Sequence, residues 1–128
     1  MLDICNATSM IAKWNALAVR AALTMSEADF MRCSGPIPNP DGRVRSYERF
    51  YYRSKGILHR AGTQYAVYVK DLSRMGVGVI SPVQLFPKQN FELELPNGKR
   101  YELSVARCRR DAPRSYSCGA VFELNRWS

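Results

Sequence analysis

RFYYRSKGILHRAGTQYAVYVKDLSRMG (Arg49–Gly76) is the stretch whose reading decides the fold. Within it, Lys55–Arg60 and Tyr65–Lys70 are short, mostly alternating and rich in β-branched and aromatic residues, the pattern of half-buried strands. Polar chemistry flanks them: Arg49-Phe50-Tyr51-Tyr52-Arg53 on one side, Asp71-Leu72-Ser73-Arg74-Met75-Gly76 on the other. Arginines four apart share a side of the chain whether it is extended or helical, so two guanidinium groups can face one ligand. Each binds a phosphate bidentately, pairs with the O6 and N7 edge of guanine, or stacks on a base. A carboxylate at Asp71 accepts from guanine N1 and N2, and the Ser73 hydroxyl donates or accepts. Gly76 permits a positive φ or a close approach of ligand to backbone. Both motifs also have plain readings: a solvated charged loop, and a turn in which Asp71 and Ser73 bond their own backbone.

Working outward, Val77–Ile80, Phe91–Leu95, Tyr101–Arg107 and Ser117–Leu124 repeat the strand pattern. Pro96-Asn97-Gly98 marks a tight hairpin between the fourth and fifth runs. Six short strands joined by turns predict a mainly β chain, a closed or nearly closed antiparallel barrel. Upstream, Gly35–Gly42 holds three prolines and two glycines in eight positions, which excludes helix and central strand and reads as a linker or surface strap. Before it, residues 9–24 predict a helix capped by Ser9, with Ile11, Trp14, Leu17 or Ala18, and Ala21 at helical spacing. Ser26 and Asp29 have capping-box-like spacing for a second short helix. Trp14 is expected to pack against its own domain. Residues 1–42 are thus expected to form a helical segment with its proline-rich linker, and residues 43–128 a barrel domain.

RxxxR followed by DxSxxG at this separation resembles the PilZ domain, a family of bacterial receptors for cyclic di-GMP. Val77-Gly78-Val79 and Gly119-Ala120-Val121-Phe122 are similar to the family as well, and the resemblance covers about residues 45–124. It implies a six-stranded barrel that binds the dinucleotide through Arg49, Arg53, Asp71, Ser73 and Gly76, with Arg45 and Arg74 auxiliary. The spacing also fits Arg45-Ser46-Tyr47-Glu48-Arg49. The Arg49–Arg53 register is taken because Arg53 then stands immediately before the first strand, as in the family. The resemblance further implies that an arginine-bearing strap wraps the ligand and, on ordering, repositions the N-terminal helix for a protein partner. Two departures stand out. The family often has a second arginine after the first, where this chain has Phe50. It also commonly carries a helix after the last strand, whereas Ser128 follows Leu124 closely, so the N-terminal helix or a partner is expected to cover the barrel opening.

The totals agree with a binding domain. Across 128 residues, 19 Lys and Arg outnumber 11 Asp and Glu, for a net charge of +8. Residues 43–60 alone hold six basic residues against Glu48, a local excess that favours an anionic partner. Lys99, Arg100, Arg107, Arg109, Arg110 and Arg114 form a second basic area; Arg107 to Arg110 read as a solvated hairpin end, the alternative being that they border the ligand face and help neutralise phosphate. His59 stands alone among the side chains, and Cys5, Cys33, Cys108 and Cys118 form no Cys-x-x-Cys pair, so neither a zinc site nor a catalytic base is expected. The cysteines read as reduced thiols in a cytoplasmic protein. No apolar run approaches the roughly 20 residues of a membrane span, and no cofactor or enzyme motif is present. Two other readings stay open. A nucleic-acid-binding barrel is supported by charge with Tyr51, Tyr52 and Tyr65, and the concentration of basic residues in one strap speaks against nucleic acid as the partner. A ligand-independent interaction module on the same fold is the alternative.

Overall fold

Parity along the strands builds a barrel with two apolar layers. The computed structural model describes residues 2–37 and 49–123, with side chains from Ser9 onward. Two helices, α1 (Leu2–Ala16) and α2 (Glu27–Met31), precede six strands: β1 (Phe50–Arg60), β2 (Thr63–Leu72), β3 (Gly76–Ser81), β4 (Asn90–Glu94), β5 (Arg100–Ala112) and β6 (Ser115–Phe122). All pairings are antiparallel, and the sheet closes in the order β1-β2-β3-β6-β5-β4. The predicted six-stranded barrel is therefore the fold. Its first strand begins at Phe50 instead of Lys55, and the predicted end of the last strand, Leu124, lies outside the described residues.

Successive side chains point to opposite faces of a strand. Leu58, Val67, Val69, Val79, Leu93, Leu103 and Cys118 make one buried cluster inside the barrel. Their neighbours Ile57, Ala66, Tyr68 and Ile80 face out and are covered by Met10, Trp14 and Phe30. Trp14 is core, as expected, with its Nε1–H donating to the Val67 carbonyl at 2.8 Å. Phe30 and Tyr68 meet edge to face at 5.4 Å, and the Tyr68 hydroxyl donates to Glu27 at 3.0 Å. The helices thus cover the flank of β1–β3, not a barrel opening; the mouth lined by Leu72, Val77, Leu95, Tyr101 and Phe122 holds a cavity of about 330 Å³.

The predicted helix over residues 9–24 is corrected: α1 runs from Leu2 to Ala16. Arg20 donates to the carbonyls of Asn15 and Leu17 and so caps the helix end. Beyond it the backbone is claimed by the sheet. β3 pairs with β2 only from Tyr68 onward, which leaves an edge at Ala66. Val19 and Ala21 take that edge, Ala21 N–H donating to Ala66 O at 2.8 Å and Ala66 N–H to Val19 O at 3.0 Å. The helix at Ser26 forms as predicted, the Ser26 hydroxyl accepting from Asp29 N–H. The turn at Pro96-Asn97-Gly98 is also as read, with Gly98 at φ 84°. Of the proline-rich linker, residues 38–42 lie outside the described residues, whereas Gly35–Ile37 pairs with Arg49–Tyr51 through two backbone hydrogen bonds of 2.9 Å.

One polar cluster ties α1 to the β1–β4 seam. Glu94 accepts from Lys13 Nζ at 3.2 Å and pairs with His59 Nε2 at 2.9 Å, so His59 is the structural residue expected. Burial alone would raise the Glu94 pKa. The hydrogen bonds from His59 and Lys13 and the charges of Lys13 and Arg100 outweigh it and hold the carboxyl below its ordinary 4.5. A carboxyl depressed in the folded state stabilises above its unfolded pKa and loses that contribution as pH falls through the folded value. Glu94→Gln is therefore expected to lower stability at neutral pH, with the difference from wild type shrinking below about pH 4.5. Urea unfolding midpoints across pH 3–7 measure it, and a difference that does not vary with pH would exclude the linkage.

Candidate functional site

Four strands present an outward-facing row that the period of the sequence does not reveal. In β2, Val69 pairs with Val79 and Asp71 with Gly78, so Lys70 is an extra residue in a bulge. In β5, Val105 pairs with Ala120 and Arg107 with Gly119, so Ala106 is a second bulge. Strict alternation would turn both Asp71 and Arg107 to the barrel interior, alongside Val69 and Val105. The bulges turn them out instead. Gly78 and Gly119 are themselves paired across β3 and β6. The row reads Asp71, Gly78, Gly119, Arg107, with a charged side chain at each end and bare backbone between.

A cavity of about 370 Å³ lies on this row, walled by Arg49, Lys70, Asp71, Arg107, Arg109 and Ser117. Arg49 stands immediately before β1 and donates to Asp71 Oδ1 at 3.1 Å, a pair with both side chains more than two-thirds buried. Burial lowers the Lys70 pKa against the pull of Asp71, and Lys70 Nζ donates to the Ser117 hydroxyl at 3.5 Å. Arg109 is paired with Asp111 at 2.9 Å, and Ser117 donates to the same carboxylate at 2.7 Å. Those two hydrogen bonds hold Asp111 below its ordinary pKa. Arg107 has no hydrogen-bond or ion-pair partner among the described residues. The cavity therefore offers cations for an anionic ligand and one carboxylate, Asp71, for a donor.

Of the residues singled out in the sequence, Arg49 and Asp71 are brought together here. Arg53 is not immediately before the first strand, as its register assumed, but inside β1. Its guanidinium lies 4.2 Å from the Phe30 ring centre and 4.9 Å from that of Tyr51, and its buried Nε has no hydrogen-bond partner among the described residues. It lines an adjoining cavity of about 320 Å³ that shares Lys70, Asp71 and Ser117 with the first. Ser73 follows the plain turn reading: its hydroxyl accepts from the N–H groups of Met75 and Gly76, each at 3.2 Å. Gly76 has no positive φ, and the backbone that approaches it is the Ala120 carbonyl of β6. Arg74 is exposed on the turn, and Arg45 lies outside the described residues. Lys70 and Ser117 carried no signal in the sequence, and the outward aim of Arg107 carried none because a bulge leaves no mark there.

A family model for the PilZ domain matches residues 43–125, well over half of the chain. The chain belongs to the PilZ family. PilZ domains are known to bind cyclic di-GMP and form a receptor family, not a catalytic one. No curated protein matches the chain. The PilZ match begins at Arg43, so Arg45, Arg49 and Arg53 all fall within it. Among the described residues no helix is long and apolar enough to cross a membrane, and no group of three or more His, Cys, Asp or Glu is placed to hold a metal ion.

Proposed function

We propose that this PilZ domain is a non-catalytic, cytoplasmic receptor for cyclic di-GMP that takes the dinucleotide on the β2–β3–β6–β5 face. One observation carries the reading. Arg49 and Asp71, 22 residues apart and from different motifs, meet at 3.1 Å in one cation-rich cavity. In this reading Arg49 and Lys70 hold phosphate, and Asp71 accepts from a guanine edge with the lone pairs that Arg49 leaves free. Arg53 stacks on Phe30 of α2 and borders the same cavity system, so occupancy is passed to the N-terminal segment, where a protein partner reads it. The regulated bacterial process, motility or polysaccharide production among the choices, is set by that partner. Calorimetric titration with cyclic di-GMP, with GTP and cyclic di-AMP as controls, tests the receptor. Micromolar or tighter binding of cyclic di-GMP alone supports it. Absence of binding by the folded protein would leave the ligand-independent interaction module, which the commitment of Ser73 to its own turn favours.

The second arginine is an open choice that the structure reweighs. Arg49, not Arg53, precedes β1, and Arg53 is already engaged between two rings. Both facts support Arg45–Arg49 as the ligand-binding pair. Arg45→Ala is expected to weaken cyclic di-GMP binding about tenfold or more, the worth of one charged hydrogen bond. Arg53→Ala is expected to cost about 1 kcal/mol of stability from lost stacking and less in affinity. Titrations and thermal melts of both variants decide it, and the reverse pattern would restore the Arg49–Arg53 register.

A further inference from the structure

Among the described residues, Lys70 is the one lysine on the wall of either polar cavity, and it lines both. As the extra residue of the β2 bulge it has no paired residue on β3, and its side chain crosses that strand to β6. There Nζ donates to Ser117 Oγ at 3.5 Å, and Ser117 donates in turn to Asp111 Oδ2 at 2.7 Å. The carboxylates nearby are taken, Asp71 by Arg49 and Asp111 by Arg109, and Lys70 has no ion pair among the described residues. Burial favours its neutral amine most strongly. Arg109 and Arg53 act in the same direction, Asp71 and Asp111 in the other, and the pKa stays below the ordinary 10.5. An amine that gives up its proton readily, in a cavity walled by arginines, is a nucleophile beside an anion site.

We propose that Lys70 is a modification site, acylated by small acyl phosphates whose phosphate docks on the arginines of the cavity. Arg107 lines that cavity with its fork unpaired among the described residues, and it is the first of them to meet the phosphate. The neutral Lys70 amine attacks the carbonyl carbon and a C–N bond forms. The bond from that carbon to the phosphate oxygen breaks, and inorganic phosphate leaves with the electron pair. The surplus proton of the amine passes to Ser117, whose own hydroxyl proton moves to Asp111 and on to water. Two other lysines are held by carboxylates, Lys13 by Glu94 at 3.2 Å and Lys55 by Glu27 at 3.8 Å, while Lys88 and Lys99 are exposed. The consequence for the ligand rests on the cyclic di-GMP reading above. An acyl group would remove a charge assigned to phosphate and take up room in both cavities, so the modified chain is expected to bind cyclic di-GMP about tenfold or more weakly.

The five lysines of the chain make the test internal. The full chain is incubated with acetyl phosphate, and acetylation of each lysine is followed in time by peptide mass spectrometry. Lys70 is expected to react about tenfold faster than any other lysine, the worth of one charged hydrogen bond to the docked phosphate. In urea, where the cavity is lost, the five are expected to react alike. Acetic anhydride carries no phosphate and is expected to show a smaller lead for Lys70. Arg107→Ala, at an exposed position, is expected to keep the wild-type melting temperature and to lose most of the lead with acetyl phosphate alone. Lys70 reacting no faster than Lys88 and Lys99 would overturn the proposal. So would a lead that is the same with both reagents, or one that survives Arg107→Ala, because neither would need a docked phosphate. Saturating cyclic di-GMP, added first, is expected to protect Lys70 and not Lys88 or Lys99. Selective acetylation of Lys70 without that protection would uphold the modification site and remove cyclic di-GMP from this cavity, so the two readings fail separately.

Discussion

Arg49→Ala is expected to weaken cyclic di-GMP binding about 100-fold or more while lowering the melting temperature by only a few degrees. The guanidinium fork supplies two charge-assisted hydrogen bonds to a phosphate, each worth about 1.5–3 kcal/mol. Its loss also strips Asp71 of the cation 3.1 Å away, leaving a carboxylate that repels an incoming phosphate. Both effects act on the ligand in the same direction. Folding loses less, because Asp71 opens onto the cavity and regains water when the guanidinium is removed. Arg49→Lys keeps the charge but not the fork, so it is expected to recover part of the affinity. Titration of the two variants beside a thermal melt separates the terms. Affinity within a factor of three of wild type in Arg49→Ala would remove Arg49 from the ligand.

The barrel was legible in the sequence because its cause is local. Alternation in Tyr65–Lys70 or Phe91–Leu95 reports one face buried and one exposed, and Pro96-Asn97-Gly98 reports a turn, wherever the strands end up. The end of the first helix was not legible. Leu17 and Ala21 continue the apolar period past Ala16, and what stops the helix is a vacant edge at Ala66, far away in the chain. The site was legible in half. Asp71 and Arg49 could be named because their spacing is a motif, and their meeting is a fact of pairing between β1 and β2. Arg107 could be counted among basic residues but not aimed, because parity read from Val105 turns it inward and only the bulge at Ala106 reverses it. Ser73 and Gly76 look like ligand chemistry in the motif, yet their hydrogen bonds and contacts belong to the β2–β3 turn and to β6.

That last point makes Gly76→Ala the sharpest test on the fold. A methyl group at Gly76 would overlap the Ala120 carbonyl oxygen and approach Val121 Cα within 3.1 Å. Neither atom belongs to a flexible side chain. β3 cannot retreat, since it is hydrogen-bonded to β2 on one side and β6 on the other and all six of its residues are buried. The expected cost is about 3 kcal/mol or more, from overpacking against backbone, which is a large share of a domain's total stability. Gly62→Ala, at a φ of 81° with nothing within 4 Å, is the control for backbone strain alone and is expected to cost about 1 kcal/mol. Urea unfolding of the two variants compares them. Ligand binding by Gly76→Ala is then expected to fall in proportion to its folded fraction, recovering on cooling towards the temperature of maximum stability. A variant with the wild-type urea midpoint that no longer binds cyclic di-GMP would instead place Gly76 against the ligand, and the close approach to Ala120 would not be the reason for a glycine there.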